Sequence, residues 1–195
     1  FASSSSVYGN SKNYPTSESD ISDLPISFYA ATKKSNELMS YSYSKIYNMN
    51  ITGIRFFTVY GPFGRPDMAI FYFFKNILNK KTIEVYNNGN HIRDFTYIDD
   101  VVSDIFSILN SNRKRNKFEV YNIGGGSKTN LKKLISIIEK ITKTKAIKRF
   151  KPIQRGDVIK TFCNNKKISL LNNNKKYISI NRGLNLFYDW YKEFN

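Results

Sequence analysis

Cysteine and histidine are almost absent: Cys163 and His91 each stand alone among 195 residues. One thiol excludes an internal disulfide framework and fits a reducing, cytoplasmic compartment. One imidazole with no cysteine pair makes no typical His/Cys metal site, so no metal is expected. Long apolar runs are missing as well. None approaches the ~20 residues needed to cross a bilayer, and no charged-then-apolar leader precedes Phe1, so neither a membrane partner nor a secretory signal is expected. Acidic residues are scarce, 15 against 31 Lys and Arg, which leaves a net charge of +16. Such a surplus raises the prospect of a nucleic-acid partner. Its clusters, however, are Lys/Asn mixtures beside apolar segments: "RKRNK" at 113–117, "KTKAIKRFK" at 143–151 and "NNKK" at 164–167 and 173–176. No recognised nucleic-acid motif accompanies them. The charge reads as a solvated surface whose field favours an anionic substrate, and no nucleic-acid partner is expected.

What is present argues for a packed globule, with 41% hydrophobic and 15% aromatic residues. "FASSSS" reads as a strand, and helix formers from Ser27 predict a helix of about five turns. "ITGIRFFTVYG" from Ile51 is a buried-strand pattern stopped by Gly61 and Pro62. An amphipathic helix follows from Met68, then the strand "TIEVYN". A helix over "TYIDDVVSDIFSILN" carries Asp99 and Asp100 in its first turn, where negative charge suits the dipole. "KFEVYNIGGG" is a strand, "TNLKKLISIIEKIT" a helix with Thr129 or Asn130 as cap, and further helices lie near Lys166 and across "LNLFYDWYKEF". Alternating strands and helices predict a layered α/β fold.

"IGGGSKTNL" at 123–131 sits where a phosphate loop would. Its contiguous glycines fit neither G-x-x-x-x-G-K-[ST] nor G-x-G-x-x-G, so it reads as a strand-to-helix turn. "YAATK" is more promising, because it places Tyr29 and Lys33 on one face of a helix. A cation beside a phenol stabilises phenolate and draws a pKa near ~10 toward neutrality, as a general acid or base needs. Alone, Y-x-x-x-K arises readily on any Lys-rich helix. The serine-rich strand end strengthens it: by period two Ser4 and Ser6 share a side, where a hydroxyl could hold the substrate oxygen on which Tyr29 acts. Without the tyrosine, the serines read as a small-residue packing seam.

Taken together and in order, "FASSSSVYG", "YAATKKSNELM", "GIRFFTVYGPFGRPDMA", "RDFTYIDDV", "YNIGGG" and "QRGDV" resemble the extended short-chain dehydrogenases/reductases that modify nucleotide sugars, the NAD-dependent epimerase/dehydratase family, and within it the UDP-glucuronate 4-epimerases. The resemblance covers nearly the whole chain. It implies the C-terminal part of a Rossmann-type doubly wound parallel sheet plus a smaller α/β substrate-binding domain. Residues 1–66 would complete the NAD-binding domain; 67–195 would mainly hold the nucleotide sugar, with segments returning to the sheet. It also implies that the chain lacks roughly the first hundred residues, including the Gly-rich NAD motif, and is inactive alone.

The activity implied is NAD-dependent 4-epimerisation of a UDP-sugar, UDP-glucuronate to UDP-galacturonate, through a transient 4-keto sugar. By resemblance Tyr29 is the base, Lys33 lowers its pKa and binds the nicotinamide ribose, and Ser4 bonds the reacting oxygen, with Ser5 and Ser6 assisting. Phe57 and Val59 border the nicotinamide. Thr58 and Arg65 contact the hexuronate, although Arg65 could equally form a surface ion pair with Asp67. Arg93 binds the diphosphate, against the alternative of a bridge to Asp94. Val85 and Tyr86 hold the uracil, and Gln154, Arg155 and Asp157 serve ribose and phosphate. His91 and Cys163 match no role. Similar dehydratases and decarboxylases carry carboxyl groups before Val-Tyr-Gly, where this chain has Ser5 and Ser6, which disfavours both reactions. Another NDP-sugar epimerase, a UDP-glucuronate decarboxylase and a basic nucleic-acid-binding domain stand as alternatives. Members pair as dimers through the Tyr-Lys helix, so a homodimer is expected of the full-length protein.

Overall fold

A computed structural model describes residues 1–111 and 117–194. Of the basic stretch at 113–117, all but Lys117 therefore lies outside the described residues. The chain begins with a short strand, β1 (Ala2–Ser4), because Ser5–Tyr8 coil into a 3-10 turn. Ser4 is the junction: its backbone stays extended while its hydroxyl accepts the Ser6 amide at 3.2 Å. Serine side chains compete in this way with a strand ladder, so the run does not continue as a strand.

Helix α1 (Phe28–Tyr47) starts where the Ser27 hydroxyl accepts the Ala30 N–H and ends at Asn48 in the left-handed region. Then come β2 (Ile51–Phe56), β3 (Thr58–Tyr60), α2 (Ala69–Leu78), β4 (Thr82–Tyr86), β5 (Ile92–Arg93), β6 (Phe95–Tyr97) and α3 (Ile98–Leu109). The rest comprises β7 (Phe118–Ile123), β8 (Thr129–Asn130), α4 (Leu131–Thr142), β9 (Ile147–Lys151), α5 (Lys166–Ser169) and α6 (Ile180–Phe194). Asn130 is the cap of α4, its side chain accepting the Lys132 amide at 2.8 Å.

Strands β1, β2 and β7 form a parallel sheet with β2 in the centre. Neighbouring residues of β2 point to opposite faces. Ile54 packs with Val101 and Ile108 of α3, whereas Arg55 bonds Glu37 of α1. Helices thus cover both faces, as a doubly wound sheet requires. Ser4 and Ile123 both register with Phe56, so three strand ends share one carboxyl edge. Ligands of parallel α/β sheets bind at such an edge.

The larger core lies beyond that edge. Helices α2, α4 and α6 bury Phe74, Ile77, Leu134, Ile138, Leu184 and Phe187 almost completely against β4, β3 and β6. Each such side chain contributes roughly 1.5–3 kcal/mol through removal from water. Strand β9 was invisible in the sequence. It pairs in parallel with β4, yet four of its five residues are exposed and the basic run shows no apolar alternation. Lysines suit such an edge because they discourage pairing with another chain.

Candidate active site

The start of α1 and the end of β1 open into one cleft of about 510 Å³. Ser4, Ser5, Ser6, Tyr29 and Lys33 all line it. The Ser27 cap fixes where the helix begins, which sets Tyr29 in the first turn and Lys33 one turn later. Tyr29 is 55% exposed, so its phenol is open to a ligand. The Lys33 ammonium lies 5.7 Å from the Tyr29 ring centre and donates to the Ala2 carbonyl at 3.0 Å. The helix is thereby tied to the strand that carries Ser4. Ser6 does approach Ser4, its hydroxyl donating to Ser4 Oγ at 2.9 Å. The 3-10 turn brings it there rather than the strand pleat, which corrects the period-two expectation.

A second cleft of about 470 Å³ adjoins the first, sharing Thr58, Met68, Arg93 and Asp157 as lining. Tyr86 and Gln154 line this far end. Arg93 bridges the two spaces. Its guanidinium donates to Asp157 Oδ1 at 2.8 Å and to the Ile159 carbonyl at 3.1 Å. The alternative bridge from Arg93 to Asp94 does not form. Asp94 instead turns inward, wholly buried, and accepts the backbone N–H groups of Gly126 and Cys163. Burial raises the Asp94 carboxyl to about 6 even though those donors pull it down. Arg65 lines the first cleft near the surface and makes a two-pronged ion pair with Asp67, at 3.1 and 2.5 Å.

Three expected contacts are not brought to the clefts by their side chains. Val85 is fully buried in the larger core, since alternation along β4 sends it inward and its neighbour Tyr86 outward. Val59 packs against the α3 core and borders only a small space of about 40 Å³ beside Thr58 and Arg65. Arg155 is exposed and lines neither large cleft. Phe57 does line the first cleft, although it is mostly buried.

His91, which matched no role in the sequence, comes to the second cleft. It is 5% exposed, and its Nε2 sits 3.1 Å from Asp157 Oδ2 without hydrogen-bond alignment. Burial, then the Arg93 charge, lowers its pKa despite Asp157. The signal was available: two residues before Arg93 on an extended segment, period two places both on one side. Cys163 is free and buried, and burial pushes its thiol well up.

Two amides of the glycine stretch are taken up inside the fold. The Gly125 amide donates to Thr96 Oγ1 at 2.8 Å and the Gly126 amide to Asp94 Oδ2 at 3.0 Å. These donors are consumed inside the fold, as a strand-to-helix turn requires.

Comparison with known proteins adds a family context to this geometry. The model of the NAD dependent epimerase/dehydratase family matches residues 1–124. A protein of Methanocaldococcus jannaschii is 49% identical over 193 residues, covering 99% of this chain and 58% of that protein. UDP-glucuronate 4-epimerase 5 of Arabidopsis thaliana is 43% identical over 208 residues, covering 100% and 48% respectively. The solved structure of UDP-glucuronic acid 4-epimerase from Bacillus cereus, in complex with UDP-glucuronic acid and NAD, superposes with a TM-score of 0.93 at 36% identity. That match covers 100% of this chain and 61% of the other. The chain thus spans about half to three-fifths of the length of the relatives it matches.

Proposed function

Because the chain belongs to the NAD-dependent epimerase/dehydratase family, we propose that the protein carrying it inverts C4 of a UDP-sugar, converting UDP-glucuronate to UDP-galacturonate. The observation that carries this reading is the convergence of Ser4, Tyr29 and Lys33 on one cleft. Tyr29 takes the proton of the C4 hydroxyl and later returns it, while Ser4 holds that oxygen by a hydrogen bond. The Lys33 ammonium stands beside that ring, 5.7 Å from its centre. The 4-keto sugar then presents its other face before reduction.

Toward NAD the residues fit as one side of a pocket: Lys33 offers a donor for ribose hydroxyls, and Phe57 an apolar wall. When bound, the dinucleotide supplies the reversible acceptance of the C4 hydride. Arg93 serves the diphosphate, Tyr86 and Gln154 the nucleoside end, and Arg65 the hexuronate carboxylate, for which its fork is suited once released from Asp67. No carboxyl group stands at Ser5 or Ser6, which argues against dehydration and decarboxylation. Residues 1–66 would then finish the cofactor domain and 67–195 mainly bind the nucleotide sugar. Leu38, Met39, Ile46 and Tyr47 lie exposed along α1, which supports pairing of two copies through that helix. The lone free cysteine supports a cytoplasmic setting.

The test uses protein expressed from the complete gene, incubated with UDP-glucuronate and resolved by anion exchange. UDP-galacturonate should form, and Tyr29→Phe should abolish it. A folded, NAD-loaded protein that leaves UDP-glucuronate unchanged, or releases a pentose nucleotide, would overturn the reading.

A further inference from the structure

We propose that Glu37 is a positioning residue of this reaction: a buried carboxylate that fixes the height of helix α1, and with it Tyr29 and Lys33, against the Ser4 end of β1. The inference rests on the epimerase reading above. Glu37 follows Lys33 by one helical turn and is 4% exposed. Its Oε1 accepts the Ser3 hydroxyl at 2.6 Å and Arg55 Nε at 2.8 Å, and its Oε2 accepts the second guanidinium prong at 2.8 Å. Ser3 and Arg55 are register partners across β1 and β2. One carboxylate on the helix therefore reads two adjacent strands at the same level.

A second tie makes the arrangement unique. Lys33 donates to the Ala2 carbonyl while Glu37 accepts from Ser3, so two points one turn apart on α1 meet two consecutive residues of β1. A slip of α1 by one residue would shift it about 1.5 Å and turn it about 100°. Both ties cannot survive that movement. Ser4, the next residue along β1, faces the cleft that Tyr29 lines. Misplacements of about 1 Å at reacting groups are enough to cost roughly 100-fold in rate.

The fork is itself held. Arg55 stacks over Tyr8 at 4.7 Å and donates to the Ser22 hydroxyl at 3.1 Å, and Lys34 reaches both Ser22 and Asp23. Neither Glu37 nor Arg55 lines the clefts, so the pair acts only through its neighbours. Stability alone is a poor reason to keep it, because a buried ion pair is often matched or bettered by apolar residues of similar volume. What a two-pronged pair adds is direction.

The experiment measures kcat, KM for UDP-glucuronate, bound NAD and Tm for full-length protein, Glu37→Gln, Arg55→Lys and the double variant. Glu37→Gln should lower kcat about 10–100-fold, with KM within about 3-fold and NAD content unchanged. Arg55→Lys keeps the charge but cannot span both oxygens, and should fall in the same direction. If Glu37→Gln fails to fold, Arg55→Lys alone decides. The double variant should lose little beyond the worse single one, since both break one unit. Folded variants with lowered Tm but kcat within about 2-fold of the parent would show a merely structural role and overturn the proposal. A parent inactive on UDP-sugars overturns the functional reading and this proposal with it, whereas an active parent with unaffected variants overturns this proposal alone.

Discussion

Replacing Gly183 by alanine sets two effects of opposite sign against each other. Gly183 lies inside α6 and is buried against Tyr60. On helix propensity alone the change should stabilise by about 1 kcal/mol. The added Cβ, however, would lie 2.0 Å from Tyr60 Oη and 2.8 Å from Cζ. The tyrosine ring would have to retreat by about 1 Å into Phe95 and Tyr97, which meet it edge-on at 6.3 and 5.6 Å. Overpacking of that kind costs about 3 kcal/mol at its upper range, so the net should be about 2 kcal/mol of destabilisation. Tyr60→Phe supplies the control. The Tyr60 hydroxyl is buried with no hydrogen-bond partner among the described residues. Removing it should be neutral or stabilise by about 1 kcal/mol. In that background Gly183→Ala loses its worst contact but keeps the ring carbon at 2.8 Å, so it should still cost about 1 kcal/mol. Urea unfolding of the four proteins gives the coupling, about 1 kcal/mol and favourable to the double variant. If Gly183→Ala were equally costly with Phe and Tyr at position 60, the contact would not be its cause.

Two further predictions concern buried groups near the site. Asp94 titrates near 6 when folded, against 3.8 as the ordinary value. The folded protein therefore holds this proton more tightly, and the stabilisation is complete below pH 3.8 and lost as pH rises through 6. That is about 3 kcal/mol, so native protein should lose up to that much against Asp94→Asn between pH 4 and pH 6.5; a flat difference would refute it. Cys163, buried and held as the thiol, should resist iodoacetamide until the fold opens, and rapid labelling of native protein, followed by mass spectrometry, would contradict its placement.

The parts of the fold that were legible are those where one side-chain period dominates. Helix α1 showed itself through Ser27 and a run of good helix formers, and α3 through Asp99 and Asp100 at its start. Strand β2 showed through its apolar run. What stayed hidden depended on partners far away in sequence. Strand β9 forms because β4 offers a ladder, not because its own residues alternate. The cleft was legible at Tyr29 and Lys33, whose spacing is a helical property. It was not at Glu37, whose surroundings require knowing that Arg55 arrives beside it. The Val85 side chain turns from the cleft for a local reason: in a strand, one of two neighbours must face the core, and β4 sends Val85 there.

The four serines at the beginning of the chain make sense only at this level. Ser3 and Ser4 point to opposite sides of β1, and each side asks for a small hydroxyl on different grounds. Toward α1, Ser3 is 2% exposed and must both fit beneath the helix and donate to Glu37. A larger residue would lift the helix, and alanine would leave that carboxylate one donor short. Toward the cleft, Ser4 terminates the strand by capping the Ser6 amide and keeps its oxygen within reach of Ser6 Oγ. Ser5 and Ser6 then line the same cleft. The run is uniform in sequence, but the strand pleat and the 3-10 turn give its members separate surroundings: one donates to Glu37 beneath helix α1, and the others face the cleft that Tyr29 lines.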